Sequence, residues 1–289
     1  MRRPLLGSRV RWGLMVLAVL SGLSLSFPAG QVAGPQQARV VTEDLRRPEV
    51  PPWIHRATRQ VLVLGHAGSE SLMEKILWPA SDAVLAVGDF WSTAGAWQQH
   101  ATIVVPSTED ELRALLAEDG ELGRTAAVTD PEGRVVINPE VFGTLSPRGR
   151  QVVLTHEITH VAARQLTSVV TPFWLGEGLA DYVAYRRSAV RDRSIAKELA
   201  DEVRAGRLPA QLPARRDFRA ENPRQAQAYQ EAWLAARFIV ERAGEDALIR
   251  VYRKMSAGTD INVVFRAELG LTEQGFVAHW REYVEGHLR

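Results

Sequence analysis

Between residues 61 and 138 short apolar runs alternate with amphipathic stretches, whereas beyond Pro147 apolar positions recur at helical spacing to the end of the chain. Val61-Leu62-Val63-Leu64 reads as a buried strand ended by Gly65, and residues 69–98 read as largely helical with breaks at Pro79 and Gly88. Ala101–Val105 is a second strand. Pro106-Ser107 then opens a helix in which Ser107 can cap, and Glu109, Asp110 and Glu111 sit on the positive end of its dipole. Thr125–Thr129 and Arg134–Asn138 flank Asp130-Pro131-Glu132-Gly133, the pattern of a hairpin. Phe238, Ile239, Leu248, Ile249, Val251, Phe265, Leu269, Phe276 and Trp280 form the apolar stripe of packed helices. The expected class is α+β: a mixed half with a small sheet and a hairpin over 54–165, feeding a helical half over 166–289.

The first 53 residues follow a different grammar. Arg2, Arg3, Arg9 and Arg11 precede the apolar run Trp12–Phe27, which predicts a signal peptide or an uncleaved N-terminal membrane anchor over 1–27. The run is short for a spanning helix, which needs about 20 apolar residues. Residues 28–53 carry Pro28, Pro35, Pro48, Pro51 and Pro52 with few large apolar groups, and read as an extended tether. The expected location is therefore extracellular or in the cell envelope.

Composition narrows the chemistry by exclusion. The chain has 289 residues, 46% hydrophobic and 24% charged, with a net charge of +1. The leader holds four arginines and no acid, so without it the chain is slightly acidic and offers no basic field for nucleic acid. The absence of cysteine removes disulfides, thiolate metal sites and a thiol nucleophile.

Candidate chemistry concentrates between residues 146 and 187. Ser146-Pro147 is a helix start, an N-cap followed by proline at the first helical position. That helix runs into His156-Glu157-Ile158-Thr159-His160, an H-E-x-x-H pattern. Residues four apart stand one above the other on a helix, so both imidazoles can meet one ion, and neutral imidazole suits zinc. Glu157 can reach the open position of such a site. A third histidine six positions after the second, as in metzincins, is absent: Leu166 stands there, and Ala163 replaces the metzincin glycine. Pro172 starts a second helix bearing Glu177, seventeen positions past His160, and a returning antiparallel helix would bring its carboxylate to the same ion. Asp181, one turn further on the same face, can accept the spare N–H of a ligand histidine.

HEITH followed by WLGEGLADY resembles the gluzincin metallopeptidases, most closely the bacterial peptidase MA-like domains. The resemblance implies a zincin-like fold over residues 54–289, with an active-site cleft between the two halves. It implies Zn2+ as cofactor, His156, His160 and Glu177 as its ligands, Glu157 as general base and Asp181 behind the ligands. It also implies a peptide or protein substrate. Gluzincins add a Tyr or His donor to the oxyanion, for which Tyr229, at the head of an expected helix Gln230–Arg242, is the candidate beside a plain packing role. The related aminopeptidases carry a G-x-M-E-N segment on the preceding strand. Thr125-Ala126-Ala127-Val128-Thr129 has no acid there, which argues against aminopeptidase specificity and favours an endopeptidase or some other hydrolase of amides.

Other residues carry blander expectations. The hairpin 125–138 is the natural sheet edge for a peptide backbone. Residues 205–224, with Pro209, Pro213 and Pro223, read as a long loop that either covers the site or merely connects. His55, His66, His100, His279 and His287 have no partner at ligand spacing, Trp78, Trp91 and Trp97 read as core, and Tyr182 and Tyr185 as packing or support. The alternative function is a non-catalytic cell-surface module using zinc as a structural element, against which stands a set of three protein ligands where structural sites have four.

Overall fold

The computed structural model describes residues 52–92, 97–116 and 125–289. The expected leader, and the tether as far as residue 51, lie outside the described residues; among those described, no helix is long and apolar enough to cross a membrane.

A five-stranded mixed sheet is built from β1 (Trp53–Ala57), β2 (Val61–His66), β3 (Ala101–Val104), β4 (Ala127–Thr129) and β5 (Val135–Ile137). Its order is β1-β2-β3-β5-β4, with β2, β3 and β5 parallel and the two outer strands antiparallel to their neighbours. The helices are α1 (Glu70–Trp91), α2 (Glu109–Leu116), α3 (Pro139–Thr144), α4 (Pro147–Ala163), α5 (Phe173–Tyr185), α6 (Asp192–Ile195), α7 (Lys197–Arg204), α8 (Gln225–Ala243), α9 (Glu245–Ser256), α10 (Ile261–Leu269) and α11 (Glu273–Leu288). The chain is thus mixed α+β, with a small sheet and mostly helices.

Alternation along each strand sorts the side chains into two layers. Val61, Val63, Ala101, Ile103, Ala127, Val135 and Ile137 face the main core, which continues through Met73 and Ile76 of α1, Leu154 and Ile158 of α4 and Leu175 of α5. Val128 and Val136 face the other way and pack on Leu112 and Leu116 of α2. The sheet therefore serves as a floor on which α1 and α4 lie, and β4 is left as a sheet edge next to α4.

Several local expectations are corrected. Pro79 and Gly88 do not break α1. The carbonyl that Pro79 deprives of a donor belongs to exposed Lys75, where water can replace it, and Pro79's own carbonyl accepts from Gln151 Nε2 on α4 at 3.1 Å. Gly88 is buried because the Gln99 side chain passes 2.9 Å from where a Cβ would stand. The α2 cap is Thr108, whose hydroxyl accepts from Glu111 N at 3.1 Å, while Ser107 N donates to the Glu111 carboxylate. Strand β1 begins at Trp53, the last residue of the expected tether, and with His55 and Arg56 in its middle it has no apolar run to mark it. Helix α3, capped by Asn138, was not foreseen either. The stretch 205–224 is not all loop, since Arg215–Phe218 forms a 3-10 turn. Helix α8 begins at Gln225, so Tyr229 lies in its second turn and not at its head.

Helix α8 approaches α5 as closely as backbones allow. A Cβ on Gly178 would lie 2.3 Å from the carbonyl oxygen of Ala232, and a backbone atom cannot move aside as a flexible side chain can. Gly178→Ala should therefore force the two helices apart and cost about 3 kcal/mol. Urea denaturation of the variant beside the wild type checks this; a loss of under about 0.5 kcal/mol would contradict the packing described.

Candidate metal centre

Helix α4 is started as its sequence dictates: the Ser146 hydroxyl accepts from Gly149 N at 3.1 Å, with Pro147 in the first turn. Two turns on, its buried face stops being apolar. Thr155, His156, Glu157 and Thr159 are all inside the protein, a placement that polar side chains adopt only when partnered. Thr155 and Thr159 donate back to the Gln151 and Thr155 carbonyls of α4 itself, whereas the partners of His156 and Glu157 come from α5 and β4. Helix α5 returns along α4 after the connection 164–172 and delivers Glu177 to the two imidazoles.

His156 Nε2 and His160 Nε2 stand 3.0 Å apart, and Glu177 Oε2 lies 3.4 Å from the first and 3.6 Å from the second. The latter two spacings are too long for good hydrogen bonds. They match what one ion requires: zinc–ligand distances of about 2.0–2.1 Å in a tetrahedron put neighbouring donors roughly 3.3 Å apart. Both Glu177 oxygens are buried with no hydrogen-bond partner, and so is Oε1 of Glu157. A fully buried carboxylate that meets only two imidazole nitrogens, at ion-pair and not hydrogen-bond distance, suits a bound cation, because burying a carboxylate without strong partners is costly. Two imidazoles and a carboxylate are the donor set that zinc prefers.

Asp181 completes the support. Its Oδ1 lies 2.8 Å from His156 Nδ1, which places the ring's proton on Nδ1 and leaves Nε2 as the donor atom. The carboxylates dominate the local electrostatics. Burial disfavours the His156 cation, but Asp181, Glu177 and Glu157 outweigh it and raise its pKa to about 10. Burial likewise opposes ionisation of Glu177, yet His160 and His156 hold its carboxyl below the usual range. Glu157 goes the other way: burial pushes it up, assisted by the Glu177 charge, against the pull of both histidines and a hydrogen bond from Thr129.

Residues that sequence reasoning did not find surround this centre. The Thr129 hydroxyl, at the end of β4, is 2.7 Å from Glu157 Oε2. Tyr252 of α9 is buried, with its hydroxyl 2.6 Å from Thr167 Oγ1, and burial together with the Glu177 charge pushes its pKa up to about 12. Neither contact has a local signal, since strand-to-helix and helix-to-loop pairings 28 and 85 residues apart leave no spacing to read.

Tyr229 is buried on α8, three residues before the Ala232 carbonyl that meets Gly178, with its ring edge-on to Phe218 at 5.0 Å. Phe218 in turn meets Phe173, the first residue of α5, at 4.8 Å. Tyr182 donates to Glu245 at 2.8 Å, and Tyr185 packs on Trp233 at 5.8 Å. His66 is buried against Glu111 at 2.8 Å under the ring of Trp53, away from the cluster. Trp78 is not core but exposed on α1, whereas Trp91 is buried. Among the described residues, the cluster able to hold a metal is His156, His160 and Glu177.

No family model matches the chain, and no curated protein does either. Among solved structures, a mutant of a two-domain M1 zinc metallopeptidase bound to L-arginine is similar over 82% of this chain, at 14% identity and a TM-score of 0.43. The chain spans about half of that protein, 53% of its length. The likeness is coarse, and the metal centre stands on its own geometry.

Zinc binding must displace the proton from His156, because a ligand imidazole has to be neutral. The sign follows from the raised pKa: affinity falls as pH drops below about 10. Calorimetric titration with zinc at pH 7.5, repeated in buffers of different ionisation enthalpy, should show about one proton released per ion. Elemental analysis should give one zinc in the wild type and little in His156→Ala or Glu177→Ala; a full equivalent retained by Glu177→Ala would contradict the assignment.

Proposed function

We propose that the chain is a zinc-dependent peptidase of gluzincin type, an endopeptidase acting outside the cytoplasm. The observation that carries this reading is the buried, hydrogen-bond-free Glu177 carboxylate set beside two imidazole nitrogens on successive turns of α4. His156, His160 and Glu177 would hold the ion, which supplies a Lewis acid for the scissile carbonyl and for water. Three protein donors leave a coordination position open, as catalytic sites require and structural sites do not. A peptide backbone would align along the β4 edge beside α4, in a cleft between the two halves.

The chain's own groups then move the proton. Glu157 Oε1, free of any hydrogen bond, takes it from the attacking water and returns it to the leaving nitrogen as the C–N bond breaks. The raised pKa of the buried carboxyl suits it to hold a proton between these events. Asp181 keeps His156 in the donor tautomer throughout. Tyr229 is the candidate hydrogen-bond donor to the oxyanion, supported by its place on the helix that packs directly on the Glu177 turn.

The near-complete burial of His156 and Glu177 would also suit a structural ion. Glu157 separates the two readings, since a purely structural site has no use for it. Glu157→Gln should keep one zinc and lose about 10²–10⁴-fold in hydrolysis of an unfolded protein such as casein. Tyr229→Phe should lower kcat by about 10²-fold with zinc retained. Hydrolysis that survives Glu157→Gln unchanged would sink the mechanism.

A further inference from the structure

Glu157 is fully buried, yet its two carboxylate oxygens have different surroundings. Oε1 has no hydrogen-bond partner, whereas Oε2 lies 2.7 Å from the Thr129 hydroxyl. The same hydroxyl is 3.1 Å from the main-chain carbonyl oxygen of Glu157. Thr129 is itself buried, at 8% exposure, and is the last residue of β4, just before the turn at Asp130–Gly133. That turn is rigid. Asp130 accepts from Arg134 N at 2.8 Å and from Arg134 Nε at 2.6 Å, and Arg164, at the end of α4, donates to the Pro131 carbonyl. The end of β4 is thereby tied to α4 at Glu157, between the histidines, and the turn after it is tied to α4 at Arg164, past the second histidine.

From this arrangement we infer that Thr129 is a positioning residue for Glu157: its hydroxyl bridges the side chain of Glu157 to that residue's own main chain, locks one rotamer, and leaves Oε1 as the one oxygen able to exchange a proton. The inference rests on the peptidase reading for its purpose, though not for its geometry. A buried glutamate has three side-chain torsions and loses catalytic precision with each one left free. The hydroxyl has a single proton and two acceptors on one residue, so donating to Oε2 while grazing the carbonyl holds the carboxyl against the helix in either protonation state. The proton arriving from water lands on Oε1; Thr129 remains the donor to Oε2, and no proton is lost or gained by the threonine. Threonine suits the place for a second reason. Branching at Cβ restricts its own rotamer, and strand β4 needs a β-branched residue at a buried position.

A role confined to packing β4 on α4 would leave the same coordinates, so the test must separate the two. The probe is acetohydroxamic acid binding to the zinc-loaded full chain, followed by calorimetry. On binding, the hydroxamic acid gives its O–H proton to Glu157 and stays as the anion, so its affinity reads how well that carboxylate is placed. Thr129→Val should weaken binding by about tenfold, because a carboxyl no longer held in one rotamer outweighs its slightly higher proton affinity, and Thr129→Ser should restore binding to within about twofold. In a Glu157→Ala background Thr129→Val should change almost nothing, because there is no carboxylate left to position. Zinc content should be one equivalent in every variant. With casein, Thr129→Val should lower kcat by a similar factor at unchanged KM. Equal weakening by Thr129→Val in both backgrounds, or no rescue by serine, would overturn the inference. A wild type that binds hydroxamate with this coupling but hydrolyses no peptide would refute the peptidase reading and leave the positioning role standing.

Discussion

A carboxylate with zero exposure and no hydrogen bond is the constraint on which the rest of this structure depends. Glu177 can stay ionised inside the protein only because two imidazoles face it, and those imidazoles are 3.0 Å apart, a spacing for one shared proton or one shared cation. Asp181, Glu177 and Glu157 together raise the His156 pKa to about 10. The site is in effect a negative cage with an interchangeable cation. Three carboxylates, Asp181, Glu177 and Glu157, bear on the two rings, an arrangement that suits a bound cation.

Holding such a cage together falls to close backbone packing and to polar contacts outside the donor atoms alike. The helix cap at Ser146 fixes where α4 begins and hence which turns bear the histidines. Gly178 removes the side chain that would keep α8 away from α5, so the Glu177 turn is clamped from behind by the Ala232 carbonyl. Ser168 and Thr171, in the connection between α4 and α5, bond to Ser256 at the end of α9 and pin the hairpin that unites the donors. Each restraint is remote from the metal-ligating atoms, yet each limits the error in their separation. A displacement of even 1 Å would spoil a tetrahedral site.

How much of this the sequence disclosed depends on the range of the interaction. The pairs 156/160 and 177/181 are one helical turn apart, so their common face could be read directly, and the structure does bring His156, His160 and Glu177 to one point with Asp181 behind His156. The cap at Ser146 and the hairpin at 125–138 were legible for the same reason. Pro79 misled because a helix tolerates proline when the orphaned carbonyl faces solvent, which composition cannot reveal. Strand β1 escaped because its five residues alternate exposed and half-buried positions and contain no apolar run. Thr129 and Tyr252 were invisible: each acts through a tertiary contact, and nothing near either residue in the chain marks it.

The central claim is that three protein donors, and no fourth among the described residues, surround one cation at the junction of α4 and α5. Anomalous diffraction at the zinc edge from crystals of the zinc-loaded protein tests it most directly. The account predicts one strong peak within about 2.0–2.2 Å of His156 Nε2, His160 Nε2 and a Glu177 oxygen, with a non-protein ligand completing the shell. A peak elsewhere, or a fourth protein side chain on the ion, would contradict it.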